Sequence, residues 1–315
     1  MTHTIDIIIP NYNGAALLPP CLDALAGQTR HDWRVLIVDD ASTDDSLAVL
    51  RQRYPAIAVL ALPQNGGFVR TVNAGIAHTS APLVILLNND TVPDARFVEQ
   101  LAGALERFPA YAFAAAKLRL FDRPDHLHSA GDGYGWDGVP FSRGVWQPDQ
   151  GQFDVMCEVF GPCAGAAIYR RTALSALANQ AGEVLDANLI FYCEDVDLNL
   201  RARRAGLRTL FVPQAVVLHH LSATGGGELA SYYCGRNFLI IWAKNLPPAV
   251  LLRSLPHFLQ AQLAITWAAL RHIRGAAARA RLRGQWAGLR TLPQVWCRRR
   301  FGPAEASHLT TWLGR

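Results

Sequence analysis

The 315-residue sequence lacks several features that would mark particular classes of protein. It has no G-x-G-x-x-G after its first apolar segment, which argues against a nicotinamide cofactor. Its six cysteines show no paired metal-binding spacing and no dense framework, so a reducing cytoplasm fits best. The first residues contain no basic segment followed by a cleavable apolar one, and we therefore expect no secretory signal.

Acidic residues are absent from a long C-terminal part of the chain. Residues 229–304 include twelve Lys and Arg and no Asp or Glu, whereas the remaining 18 basic residues are outnumbered by 25 acidic ones. This asymmetry indicates a polyanionic partner, either nucleic acid or an anionic membrane leaflet. No recognised binding motif accompanies the arginines, so we expect no nucleic acid.

The sequence also lacks an apolar run that clearly spans a membrane. The longest uncharged stretch near the C-terminus, residues 254–270, contains a proline, a histidine and two glutamines, and a span needs about 20 apolar residues. The arginines beyond it alternate with Ala, Leu and Trp286, which is typical of an amphipathic segment on anionic lipid. We expect peripheral attachment to the inner membrane surface, with simple helical packing on the rest of the chain as the alternative.

Apolar segments that end on polar side chains recur through the first hundred residues. Residues 83–87 are five aliphatic side chains without alternation, which is typical of a strand buried on both faces of a parallel sheet. Because such segments alternate with helical ones, we expect βαβ units whose carboxyl edge forms a cleft. The polar residues expected near that edge are Asn11, Asp39, Asp40, Asn88, Asn89 and Asp90.

Carboxylates at such an edge favour a diphosphate site that uses a divalent cation. Asp90 is a natural ligand for a hard cation, and His219, which ends a later apolar segment, is a candidate further ligand. Asp39 and Asp40 could accept the imide N–H of a uracil or thymine ring. From the residues alone, turn or capping chemistry at residues 88–94 and a structural role for His219 stay open.

A second acidic element lies at residues 192–197. Glu194 and Asp195 are predicted to begin a helix that ends in arginines, so compensation of the helix dipole is one explanation for them. The neighbouring Phe191 and Tyr192 could desolvate a carboxylate and keep it basic. The pair is therefore also a candidate general base.

Seven blocks of sequence resemble family 2 glycosyltransferases of the A-type fold, in particular the rhamnosyltransferase-like branch. Each block is weak alone, but all seven occur in the family's order across about the first 240 residues. The blocks are I-I-I-P-N-Y-N-G (7–14), V-D-D-A-S-T-D (38–44), N-G-G-F-V-R-T-V-N-A-G (65–75), L-L-N-N-D-T (86–91), Y-C-E-D-V-D-L (192–198), H-H-L-S-A-T-G-G (219–226) and Y-Y-C-G-R-N (232–237).

The resemblance implies an α/β fold, the Rossmann-like nucleotide-diphospho-sugar transferase fold (GT-A) with a mainly parallel central sheet. It implies a catalytic domain over residues 1–240, and we expect residues 241–315 to be a helical, Arg-rich and membrane-associated segment. Asp90 matches the last acid of the family's D-x-D element and would hold Mg²⁺ or Mn²⁺ on the donor diphosphate, with His219 completing the metal shell. Asn88 stands in place of the first acid, which removes a charge and weakens the expected metal affinity.

The resemblance further implies that Asp195, or Glu194 in its place, is the general base of a direct displacement. The residues expected to line the nucleotide-sugar site are Pro10, Tyr12, Asn13, Asp39, Asp40, Asn65, Arg70, Asn73, Asn88 and Asn89.

The implied activity is an inverting hexosyl transfer from a dTDP- or UDP-sugar, with L-rhamnose as a candidate, to a hydroxyl of a lipid-linked glycan in cell-surface polysaccharide synthesis. Two alternatives stay open: a sugar-nucleotide nucleotidyltransferase, and a non-catalytic membrane-bound protein that binds sugar nucleotides. The nucleotidyltransferase should have a glycine-rich phosphate loop with Lys or Arg after its first strand, where this chain has Asn-Tyr-Asn-Gly. We expect a cytoplasmic protein on the inner face of the membrane.

Overall fold

A computed structural model describes residues 3–220, 227–297, 299, 301–302 and 305–314. The part of the block H-H-L-S-A-T-G-G at residues 221–226 lies outside the described residues. The chain folds into two compact units, each made of segments that are distant in sequence. The first unit contains Met1–Asp132, Ser142–Ile190 and Leu207–Thr224, and the second contains Gly133–Phe141, Phe191–Gly206 and Gly225–Arg315.

The secondary-structure elements alternate between strand and helix in the first hundred residues, as the sequence predicts. In chain order they are β1 Ile5–Asn11, α1 Leu18–Ala26, β2 Trp33–Asp39, α2 Ser46–Arg53, β3 Ala58–Ala61, α3 Phe68–Ala77, β4 Leu83–Leu87, β5 Thr91–Pro93, α4 Phe97–Arg107, β6 Phe113–Leu120, β7 Leu127–Ser129, β8 Asp132–Tyr134, β9 Pro140–Ser142, β10 Cys157–Val159, β11 Ala166–Arg170, α5 Arg171–Leu177, α6 Glu194–Arg204, β12 Thr209–His219, α7 Gly227–Asn245, α8 Pro248–Arg271, α9 Ala276–Cys297 and α10 Glu305–Thr310.

One mixed sheet forms the centre of the first unit, with strand order β10-β12-β6-β11-β4-β1-β2-β3, while β5 pairs with β12 and β7 with β6. Strands β4, β1, β2 and β3 are parallel neighbours, as βαβ units require. Strand β11 runs antiparallel to β4 and β6, but the two longest ladders, β1 with β2 and β6 with β12, are parallel. The predicted α/β fold with a mainly parallel central sheet is therefore confirmed.

Helices cover both faces of this sheet. Ile7 and Ile9 of β1 belong to an apolar cluster with residues of α1, α2 and α4. Ile8 points to the other face, where α3 lies so close that a Cβ on Gly75 would be 2.5 Å from Cγ2 of Ile8. Because both faces are buried, the strand reads as a continuous aliphatic run rather than an alternating one.

Two regions differ from the sequence expectation. The apolar segments around Pro213, which read as two strands, form the single strand β12. Its register against β6 shifts between Val212 and Val216, and this irregularity accommodates a proline that cannot donate to the ladder. Residues 123–152, which read as an irregular loop, contain β7, β8 and β9, whose three residues each are too short to give a periodic pattern.

The second unit is built mainly from helices. A Cβ on Gly284 of α9 would lie 2.0 Å from the carbonyl oxygen of Tyr232, and one on Gly235 of α7 would lie 2.6 Å from that of Arg281. Glycine at these positions therefore lets α7 and α9 pack backbone to backbone. No helix in the described part of the chain combines the length and the apolar character that crossing a membrane requires.

Candidate functional site

Side chains at the carboxyl ends of β1, β2 and β4 form a buried chain of hydrogen bonds. Asn11 Nδ2 donates to Asp39 Oδ1, and Asn89 Nδ2 donates to Asn11 Oδ1, each over 2.8 Å. Pro10 is buried in β1 just before them. A Cβ on Gly14 would lie 2.3 Å from both Asn11 Oδ1 and Asn89 Nδ2, so the close approach of this turn requires glycine. The sheet edge thus brings these polar groups together as the strand alternation predicts.

Asp39 and Asn13 also brace the loop that follows β2. The buried carboxylate of Asp39 accepts bonds from the Ser42 hydroxyl over 2.6 Å and the Ser42 N–H over 3.0 Å. Asn13 adopts a left-handed backbone conformation with a φ of 50°, and its Oδ1 accepts the N–H of Thr43 over 2.7 Å. Tyr12 stays 45% exposed, so its ring is accessible to a ligand at this edge.

Asp40 orders the glycine loop before α3. Its two carboxylate oxygens accept the N–H groups of Gly66 over 2.8 Å and Gly67 over 2.9 Å. Asn65 precedes these glycines, the Arg70 side chain lies against Gly66, and both residues are exposed. The carboxylate is only 3% exposed, so its contacts in this structure are to the protein backbone. Asp40 therefore shapes the loop that carries Asn65.

Both polar atoms of the Asn73 side-chain amide, further along α3, form hydrogen bonds. Its Oδ1 accepts the N–H groups of Val184 over 3.1 Å and Leu185 over 2.9 Å, and its Nδ2 donates to the carbonyl of Leu185 over 2.8 Å. These bonds tie the segment at residues 184–185 to α3. Contact between Asn73 and a nucleotide stays a prediction.

Asp90 and His219 meet beside Asn88. The antiparallel pairing of β12 with β5 places His219 opposite Thr91, and its Nε2 is 3.2 Å from Asp90 Oδ1. Asp90 is 4% exposed and His219 is 6% exposed. The buried Oδ1 atoms of Asn88 and Asp90 have no hydrogen-bond partner. Gly165 lies against this group, since a Cβ there would be 3.4 Å from Asn88 Nδ2 and 3.6 Å from His219 Cε1.

The ligand types that these side chains offer suit a divalent cation. The buried Oδ1 of Asn88 has no hydrogen-bond partner, and such a group costs about 1–3 kcal/mol when left unsatisfied. Asp90 Oδ1 also lacks a hydrogen bond and faces the Nε2 atom of His219 over 3.2 Å. A carboxylate oxygen, an amide oxygen and an imidazole nitrogen are ligand types that Mn²⁺ accepts, and Mg²⁺ accepts the oxygens. Asp90, Asn88 and His219 are thus the residues that could hold the metal.

Sequence reasoning missed His128 as a partner of His219. The Nδ1 atoms of the two rings are 2.9 Å apart, so one of them donates the hydrogen bond and the other accepts it. Burial, reinforced by His219, lowers the pKa of His128 to about 3, and the ring is therefore neutral. If His128 is the acceptor, Nε2 of His219 is left without a proton and can bind a cation. No signal marked His128, because it lies in the three-residue strand β7.

The acidic pair in the second unit follows a strained turn. Tyr192 has a φ of 63° and Cys193 a φ of 67°, and α6 begins at the next residue. The fully buried Asn237 of α7 donates through Nδ2 to the carbonyl oxygens of Phe191 and Tyr192, both over 2.8 Å. Cys193 is also hydrogen-bonded to Cys234 of α7. Asn237 lies in the block Y-Y-C-G-R-N, but only the structure gives it this contact.

Glu194 and Asp195 differ in environment at the start of α6. Burial, and then the charge of Asp195, raises the pKa of Glu194 to about 8, and Glu194 Oε2 has no hydrogen-bond partner. Glu194 is therefore protonated at neutral pH and cannot accept a proton there. Asp195 is half-buried, and its Oδ1 accepts the N–H of Val196 over 2.8 Å. Of the two, Asp195 is the better candidate base.

Asp197, one turn further, serves the packing of α6 on α7. Its buried carboxylate contacts Lys244 Nζ and Asn245 Nδ2, each over 2.8 Å, and Arg201 Nε over 2.9 Å. Although burial alone would raise the pKa of Asp197, the charges of Lys244 and Arg201 hold it below its usual range. A carboxylate bound this way is a poor proton acceptor.

The structure thus places the predicted site residues in two groups. The predicted nucleotide-sugar and metal residues belong to the first unit, and Glu194 and Asp195 belong to the second. Within the first unit, the hydrogen-bond chain at the sheet edge and the Asp90–His219 contact are observed directly.

Comparisons with known proteins give relatives and structural neighbours. The family model "Glycosyl transferase family 2" matches residues 6–177. An N-acetylglucosaminyltransferase from Rhizobium sp. (strain N33) is 30% identical over 223 residues, which are 68% of this chain and 48% of that protein. The N-acetylglucosaminyl-diphospho-decaprenol L-rhamnosyltransferase of Mycobacterium tuberculosis is 26% identical over 252 residues, or 74% and 81% of the two chains.

The chain spans about half the length of the N-acetylglucosaminyltransferases that it matches. Among solved structures, a mannosyltransferase from Pyrobaculum calidifontis in complex with GDP-Man and Mn²⁺ has a TM-score of 0.56 and 17% identity. The match covers 98% of this chain and 88% of that one. At this identity the similarity is one of fold.

Proposed function

Because the chain belongs to glycosyl transferase family 2, we propose that it transfers a hexose from a nucleoside-diphosphate sugar to a hydroxyl group of a glycan, with inversion at the anomeric carbon. The observation that carries the proposal is the pair of buried oxygens on Asn88 and Asp90, which lack hydrogen-bond partners beside His219 at the carboxyl edge of the sheet. In open α/β sheets ligands bind at that edge.

Asp90, Asn88 and His219 would hold Mg²⁺ or Mn²⁺ there. The cation, when bound, neutralises charge that builds on the departing diphosphate. The amide of Asn88 supplies an oxygen but no charge, so binding of the metal is expected to depend on the donor diphosphate for additional negative charge.

The donor nucleotide is assigned to the loops around Tyr12, Asp39, Asp40 and Asn65. Exposed Tyr12 offers an aromatic face, and Arg70 offers a positive charge to phosphate. Asp39 and Asp40 hold these loops in shape through the backbone and side-chain bonds described above. The proposed contact of Asp39 and Asp40 with a uracil or thymine ring would use carboxylate lone pairs that those bonds do not occupy.

Asp195 acts as the general base of a single displacement. The acceptor oxygen forms a bond to the anomeric carbon as the bond to the diphosphate oxygen breaks, and the proton of the acceptor hydroxyl passes to the Asp195 carboxylate. Glu194 stays protonated beside it and therefore does not compete for this proton.

We propose that the acceptor is a lipid-linked glycan at the inner face of the cell membrane and that the donor is a dTDP- or UDP-sugar, with L-rhamnose as a candidate. Support comes from the mycobacterial relative, whose name states a diphospho-decaprenol acceptor and a rhamnosyl transfer. The acid-free, arginine-rich residues 229–304 fit an anionic leaflet.

A thermal-shift screen of nucleoside diphosphates with and without Mn²⁺ tests the donor site. Stabilisation of the folded protein follows mass action, so the preferred base should raise Tm most, and more with Mn²⁺ present. Asp90→Asn keeps the size of the side chain and removes its charge, and it should abolish the increment due to Mn²⁺. Equal shifts in the wild-type protein and in this variant, or no shift with any nucleotide, would contradict the proposed site.

A further inference from the structure

Helix α8 carries a second apolar face that the described residues leave exposed. Leu263 is 69% exposed and Trp267 is 64% exposed, and three more leucines of α8 are exposed beside them. At about 100° per residue, the five side chains fall within an arc of about 80°. They are Leu252, Leu259, Leu263, Trp267 and Leu270. The packed side of the helix, which includes Phe258, lies on a different arc.

Helix α9 repeats this arrangement. Trp286, Leu289 and Trp296 are exposed, and by the same geometry they share one side of the helix. The opposite side packs closely on α7 through Gly284 and Gly288. Both helices therefore present an apolar stripe to solvent, and tryptophan in such stripes is typical of a membrane–water interface.

Arginines border both stripes. Arg253 and Arg271 are exposed on one edge of the α8 stripe, and Arg279 and Arg290 are exposed on one edge of the α9 stripe. The guanidinium of Arg290 lies 4.9 Å from the centre of the Trp286 ring. Because residues 229–304 contain no Asp or Glu, this surface carries positive charge without acidic side chains of its own helices to offset it.

We propose that the exposed stripes of α8 and α9, which we call the stripe surface, bind the face of an anionic phospholipid bilayer. Leucine and tryptophan side chains enter the interfacial region, while the bordering arginines contact lipid phosphates. A stripe of apolar side chains with positive charge along one edge is chemically complementary to an anionic leaflet. This inference deepens the proposed function. Only its link to a lipid-linked acceptor rests on that function, because vesicle binding needs no sugar transfer.

Co-sedimentation with vesicles tests the stripe surface. The wild-type chain should bind vesicles of equal parts phosphatidylcholine and phosphatidylglycerol, bind phosphatidylcholine alone much more weakly, and be released by salt. The double variant Leu263→Glu, Trp267→Glu should lose at least about tenfold in partitioning, because it places charge in the apolar interface. Replacing Arg271 and Arg290 by Gln should lose about fivefold per arginine.

Val155→Glu is the matched control, since Val155 is 76% exposed and belongs to the first unit. It should bind vesicles as the wild-type protein does. Each variant should keep its circular dichroism spectrum and its nucleotide-induced thermal shift, which separates loss of membrane binding from failure of the donor site. Equal vesicle binding by the wild-type protein and the Leu263/Trp267 variant would overturn the proposal. A second result would also overturn it: the wild-type protein binds no vesicles but forms a dimer that the double variant abolishes. A second copy of the chain would then cover the stripe surface.

Discussion

Asn237 offers the sharpest test of how the second unit positions Asp195. Asn237→Leu keeps the approximate size of the side chain and removes both hydrogen bonds to the carbonyls of Phe191 and Tyr192. The two bonds contribute about 1 kcal/mol each, and more if the carbonyls are left without partners. Holding Tyr192 and Cys193 in the left-handed region costs about 1–2 kcal/mol per residue. The bonds and the strain are of similar size, so loss of the bonds should let the turn relax.

Relaxation of the turn would move the start of α6 and with it Asp195. A displacement of about 1 Å in a reacting group costs roughly 100-fold in rate, so kcat should fall by about that factor. KM for the donor should change little, because the proposed donor residues belong to the first unit. Release of nucleoside diphosphate at varied donor concentration measures both constants, and urea unfolding measures the change in stability.

The matched control is Asn245→Leu on the same helix. Asn245 is also fully buried and donates to Asp197 over 2.8 Å and to the Ile241 carbonyl over 3.2 Å, but it does not contact the turn. The Asn245→Leu variant should lose roughly 2–4 kcal/mol of unfolding free energy, comparable to the loss in Asn237→Leu, with a much smaller effect on kcat. Equal losses of kcat in the two folded variants would refute the positioning role of Asn237, as would a kcat within about twofold of wild type in Asn237→Leu.

Two further variants test the environments of Glu194 and His219. The pKa of Glu194 is raised from 4.5 to about 8, so its carboxyl favours the folded state most below the lower value, and the unfolding free energy should fall as pH rises between them. Glu194→Gln should flatten this slope in urea unfolding, and an unchanged slope would contradict the assignment. His128→Phe removes the hydrogen-bond partner of His219 and should weaken Mn²⁺ binding by about 10–100-fold. Titration followed by Mn²⁺ electron paramagnetic resonance measures this without any turnover, and an unchanged affinity would show that His128 does not orient His219.

The edge of the sheet could be predicted because it depends on local patterns. An unbroken aliphatic run marks each buried strand, and the polar residue after it marks the carboxyl end. Because β1 and β2 pair from their first residues, Ile5 with Trp33, their last residues Asn11 and Asp39 lie side by side. Acids followed by apolar residues and then arginines predicted the start of α6 at Glu194.

Contacts between distant segments could not be read in this way. His128 and His219 are 91 residues apart, and Asn237 is 46 residues from Phe191. The order of residues also gives no hint that the second unit collects three separate segments, and the boundary near residue 240 stays a prediction about where the catalytic domain ends. Such pairings depend on how the elements pack, which a single sequence does not state.

The packing of α7 connects the two proposals made for the second unit. Helix α9 faces solvent with Trp286 and Trp296 and packs with its other side on α7, where Gly235 and Gly284 remove the side chains that would hold the helices apart. Two residues beyond Gly235, Asn237 holds the turn before Glu194. The α9 part of the stripe surface and the candidate base are therefore joined through one closely packed helix pair, α7 and α9. This arrangement explains two residues of the block Y-Y-C-G-R-N in physical terms: its glycine lets α9 pack closely on α7, and its asparagine holds the turn before Glu194.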